Sequence, residues 1–79
     1  MALENLTARE SLALDLEHTT ENLWVLVDRN ARNVDKPDAP TRAELEDLVE
    51  VIRRLDAIGA ELAPNLYRAA EQRRGRLDL

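Results

Sequence analysis

These 79 residues contain no cysteine and no phenylalanine, only two glycines and three prolines, and just two aromatic side chains, Trp24 and Tyr67. Without thiols the chain has no disulfide staple, no thiolate metal site and no cysteine nucleophile. Two aromatics are too few for the core of a β-sandwich or for a base-stacking surface. Two isolated glycines, Gly59 and Gly75, cannot build a phosphate-cradling loop. Ser11 is the only serine and has no histidine at helical reach, which leaves no hydrolytic triad. No apolar run approaches the roughly 18 residues that a membrane span needs. The N-terminus, Met1 to Asn5, lacks the basic and apolar regions of a signal peptide, so a cytoplasmic protein is expected.

What is abundant is helix-forming. Ala, Glu, Lys, Leu and Arg fill 45 of the 79 positions, a share typical of long helices and coiled coils when the periodicity agrees. Ten of the eleven cationic residues are arginine, which fits GC-rich coding. The net charge of −5 keeps the chain soluble and disfavours a phosphate-hugging surface as its main role. A chain of this length buries only about 60% of its unfolded surface, so as a monomer it would be marginal.

Two copies of one signal set the architecture. Thr7-Ala8-Arg9-Glu10 and Thr41-Arg42-Ala43-Glu44 both read as capping boxes, each ahead of a long segment of helical periodicity. Pro37 and Pro40 interrupt the backbone between those segments. The expected fold is all-α: an antiparallel helical hairpin, with a first helix over about residues 8–33 and a second over about 42–73. Residues 1–79 form a single domain in this reading, with 1–6 and 75–79 frayed. Pro64 removes the hydrogen bond to the Ala60 carbonyl, so the second helix kinks or breaks there; unbroken heptad phase through Leu62, Leu66 and Ala69 favours the kink.

At 100° per residue the first helix gathers Leu12, Leu16, Leu23, Leu26, Val27 and Val34 on one face, with Trp24 and Ala31 at its border. Along the second, Leu45, Leu48, Ile52, Leu55, Gly59, Leu62, Leu66 and Ala69 follow an a/d pattern. Val49, Val51, Ile58, Ala63, Tyr67 and Ala70 widen that stripe to about half the circumference, more than one partner helix can cover. A homodimer closing into a four-helix bundle is therefore expected, with Val51, Leu55, Ile58, Leu62 and Leu66 at its interface. A separate protein partner is the alternative occupant.

Antiparallel pairing about the proline loop sets Leu23 opposite Ile52, Leu26 opposite Val49 and Leu16 opposite Gly59. It also brings Thr19 and Thr20 to Asp56, which lies inside the apolar stripe; the threonine hydroxyls are expected to satisfy this carboxylate in a buried polar layer. Asn30 is the other polar residue on the stripe. Asp15 and His18 have the carboxylate–histidine spacing of di-metal bundles, and together with Asp56 they make a metal- or ligand-binding bundle the third alternative function. His18 projects away from the apolar face, however, and neither a metal nor any other cofactor is expected. Arg68, Arg73, Arg74 and Arg76 form a basic end that suits a helix C-terminus or, as a second function, contact with nucleic acid or an acidic partner. The first function expected is a non-catalytic, oligomerising protein–protein interaction module, an adaptor or regulatory accessory subunit.

Overall fold

A computed structural model describes residues 5–34 and 36–69, and within them two α-helices form an antiparallel hairpin. Helix α1 spans Ala8–Ala31 and helix α2 spans Arg42–Leu62. Both begin on the expected capping boxes. The Thr7 hydroxyl accepts from the Glu10 N–H at 3.1 Å while Glu10 Oε1 accepts from the Thr7 N–H at 2.9 Å. Thr41 and Glu44 repeat the exchange at 3.2 and 2.9 Å. Each box satisfies donors that a helix N-terminus would otherwise leave open. Between the helices, the N–H groups of Asn33, Lys36 and Ala39 each bond the carbonyl three residues earlier, so the loop is a series of turns.

Helix α2 ends at Leu62, where the Ala63 N–H bonds back to the Gly59 carbonyl. The chain therefore breaks ahead of Pro64 and does not run on as a kinked helix. Ala63 adopts φ −151° and ψ 76°, outside the α region that a following proline disfavours. A single turn follows, with the Leu66 and Tyr67 N–H groups both bonded to the Ala63 carbonyl. That turn swings residues 66–69 back across the open end of the hairpin. The expected helical stretch beyond residue 69 lies outside the described residues.

The core has two parts. Near the loop, Trp24 and Val27 pack with Val49 and Ile52, flanked by Leu23 and Leu48. Near the open end, Ala13 packs with Ala63, Tyr67 and Ala69, flanked by Leu16, Ala60, Leu62 and Leu66. The register is the expected one, but α1 is turned about its own axis. Its buried line is Ala13, Thr20, Trp24 and Val27, about 70° round from the line of leucines. Leu12 and Leu26, expected inside, lie at the surface. Trp24 accounts for much of this turn: its ring is the largest fully buried side chain of the hairpin, and burying it gains more than burying either leucine. Among the described residues nothing accepts a hydrogen bond from its Nε1–H, a cost of about 1–3 kcal/mol that the buried ring offsets.

The caps lead to two expected outcomes. Thr7→Ala should lower unfolding stability by about 1 kcal/mol, as measured by urea denaturation. Bonds from the Thr41 backbone N–H and hydroxyl hold the Glu44 carboxyl below its usual 4.5. This stabilisation is present above the unfolded value and is lost as pH falls through the lower folded value. The melting temperature of Glu44→Gln should accordingly fall below that of the parent at pH 7, and the two should converge as the pH is taken below 4.5 and through the lower folded value.

Candidate functional site

Two surfaces of the hairpin need an account: a buried polar set at its open end, and an apolar face along one flank. The polar set starts from Gly59. Tyr67 lies against it so closely that a Cβ at this position would overlap ring carbons Cε2, Cδ2 and Cζ. The glycine makes room for the tyrosine ring. Seated there, the Tyr67 hydroxyl donates to Asp56 Oδ1 at 2.5 Å and lies 3.0 Å from Thr20 Oγ1. With the Tyr67 proton directed at Asp56, that contact is a hydrogen bond when the Thr20 hydroxyl donates to the Tyr67 oxygen; the Leu16 and Glu17 carbonyls, 2.9 and 3.1 Å from Thr20 Oγ1, are its alternative acceptors. Thr20, Asp56 and Tyr67 are all buried.

The expected polar layer thus exists, with different membership. Thr20 and Asp56 belong to it, but Tyr67 stands between them. Thr19 does not belong: it is exposed, and its hydroxyl donates to the Asp15 carbonyl at 2.9 Å. A carboxylate needs donors, and a phenol arriving from the return segment supplies one that the helix wheel alone does not show. The only sequence signal for this role is that Tyr67 follows Asp56 in a stripe interrupted by Pro64. A further tie runs beside it: the Arg68 N–H donates to Glu17 Oε1 at 2.8 Å, linking the return segment to α1. Asn30, the second polar residue on the stripe, turns its amide to the Leu26 carbonyl at 2.8 Å.

The second surface follows from the turn of α1. Leu12 and Leu26 on α1 and Val51 and Ile58 on α2 are each 44–51% exposed. Leu16, Leu23, Leu48, Leu55 and Leu62 are half-buried beside them. Tracing the 100° step from the buried lines of two antiparallel helices places all nine on the same flank of the hairpin. No charged residue falls on this flank of α2 between Leu48 and Leu62. Of the expected interface residues, Val51, Leu55, Ile58 and Leu62 lie on it. Leu66 instead sits in the return segment against the cluster of Ala13 and Tyr67. Val25 is also exposed but stands apart, on the back of α1.

Comparison with models of protein families, with curated proteins and with solved structures gives no match. Asp15 and His18 are exposed and Asp56 is buried, so the structure does not gather them. Among the described residues no three histidine or acidic side chains converge as a metal site would require. Arg68 is exposed, whereas Arg73, Arg74 and Arg76 lie outside the described residues. Among the described residues no helix is long and apolar enough to cross a membrane.

The tyrosine seat can be tested by a double-mutant cycle. Tyr67→Phe removes the donor to Asp56 and should destabilise the chain by about 1–3 kcal/mol. Gly59→Ala should destabilise the parent but not Tyr67→Ala, where the ring is gone and alanine's better helix propensity should yield a gain of up to about 1 kcal/mol. Equal effects of Gly59→Ala in both backgrounds would mean that the ring does not rest on the glycine.

Proposed function

We propose that this protein is a non-catalytic interaction module, an adaptor or regulatory accessory subunit of the cytoplasm, that works by oligomerising through the apolar flank of its hairpin. The observation that carries this reading is the flank itself. Two helices contribute a contiguous apolar strip without a charge on its α2 side, and the same hairpin has already closed its core on the other side of that strip. Contiguous exposed apolar surface on a small domain marks an association site. Burying one of its half-exposed large side chains is worth about 1 kcal/mol, half the value for full burial. Several such residues together form a large share of the stability of a chain this size.

A catalytic role gains no support from the buried polar set. Thr20, Tyr67 and Asp56 hydrogen-bond within the fold and hold the return segment in place. Their burial suits a structural role that ties three stretches of chain together.

The test is hydrodynamic. At tens of micromolar the parent should sediment as a complex heavier than one chain. Ile58→Glu, which places a charge on the strip, should sediment as a monomer and keep its helical circular dichroism. If the parent is monomeric throughout, or if Ile58→Glu associates like the parent, the flank is not the working surface.

A further inference from the structure

The two halves of the core differ in what holds them. The loop-end half is built from Trp24, Val27, Val49 and Ile52, and no residue of the return segment belongs to it. At the open end the return segment supplies Ala63, Tyr67 and Ala69, and among the described residues Ala13 is the one buried apolar side chain that α1 adds. One phenol ring and three alanines are a weaker hold than an indole packed on three β-branched side chains. The return segment also has little structure of its own. Beyond the Ala63 N–H, which closes α2 on the Gly59 carbonyl, it keeps one turn, in which the Leu66 and Tyr67 N–H groups share the Ala63 carbonyl. A single turn does not stand alone in water.

From this division we infer that residues 64–69 act as a strap, which opens about Ala63 and Pro64 while the loop-end half of the hairpin stays packed. Pro64 and Asn65 are exposed, so a pivot there breaks no hydrogen bond of α2. The closed position is held by the Tyr67 hydroxyl between Asp56 and Thr20 and by the Arg68 N–H on Glu17 Oε1. Each partner has a satisfied alternative when the strap leaves. The Thr20 hydroxyl can donate to the Leu16 or the Glu17 carbonyl, 2.9 and 3.1 Å away. Glu17 is only half-buried, so its carboxylate turns to water. At Asp56 the oxygen that faces the phenol in the closed form meets water in the open one. None of these groups is orphaned in the open position, which is the condition for two defined positions of one segment.

Opening uncovers the notch at Gly59, a slot that takes a phenol ring, with the Asp56 carboxylate and the Thr20 hydroxyl at its end. It leaves Trp24, Val27, Val49 and Ile52 dry, and so exposes far less surface than unfolding. The response of an opening to denaturant scales with the surface it exposes, so this one responds weakly. The two halves also separate thermodynamically. A substitution confined to the loop-end half weakens the open and closed forms equally and leaves the balance between them untouched. One at the Tyr67 hydroxyl weakens the closed form alone.

Amide hydrogen exchange of the full chain, at a series of low urea concentrations and where rates follow the opening equilibria, tests the strap. In the parent the Leu66 and Tyr67 amides should exchange faster than the Val49 amide and with a weaker urea dependence. Ile52→Val should speed the Val49 amide by about 2- to 12-fold and leave the Leu66 and Tyr67 amides unchanged. Tyr67→Phe should speed the Leu66 amide by about 5-fold or more. Should Ile52→Val speed all three amides alike, the hairpin opens as one unit and the strap is overturned. Exchange of Leu66 and Tyr67 at unprotected rates in the parent overturns it equally, since no closed position then exists. An unchanged Leu66 rate in Tyr67→Phe removes the phenol as the catch.

Discussion

The fold depends on where the Tyr67 ring goes. It comes to rest on Gly59, at a place where any side chain on α2 would collide with it, and its hydroxyl ends between Asp56 and Thr20. Asp56 sits in the middle of an apolar helix face, where an unpaired carboxylate would be costly to desolvate. Tyr67 can donate to that carboxylate only because α2 stops before Pro64 and the chain turns back. The same hydroxyl engages Thr20 only if α1 presents its Thr20–Trp24 side to the core. One phenol thus couples the end of α2, the path of residues 63–69 and the rotation of α1.

That rotation has a consequence at the surface. With Ala13, Thr20, Trp24 and Val27 inside, the leucines at 12 and 26 are carried onto the flank, where Val51 and Ile58 of α2 already stand. The core therefore gains a tryptophan and a satisfied carboxylate, and the surface gains an apolar strip. In a small domain these are linked outcomes, because helix arcs wider than one contact must be divided between an inner and an outer side. The division here is regular. Heptad spacing repeats the same choice every two turns, which is why exposed and half-buried residues alternate along this flank of both helices.

Much of the hairpin was legible in local sequence. Thr7 and Glu10, and Thr41 and Glu44, form their boxes because a capping box needs only residues three apart and a helix to follow. Pro37 and Pro40 mark the loop for the equally local reason that a proline lacks a donor. Register followed from loop length, and the pairing of Leu23 with the Ile52 region survives in the loop-end core. Pro64 in sequence signals a break or a kink, and unbroken heptad phase through Leu62, Leu66 and Ala69 points to the kink. Heptad phase misleads here because Leu66 and Tyr67 reach the core from the turn that follows Pro64, and spacing alone does not distinguish a turn from a helix.

By itself, then, the sequence determined an all-α hairpin, its start signals, its register and the excess of apolar surface on α2, since all of these rest on contacts between near neighbours or on composition. Asp56 was visible as a problem that needed a donor. Only the tertiary structure decided which donor answered it, which way α1 faced, and which leucines were left outside. Those outcomes turn on the volumes of Trp24 and Tyr67 competing for one core, and on a hydrogen bond between residues of different segments. An apolar arc broad enough to face several directions does not choose among them until the rest of the chain is packed against it.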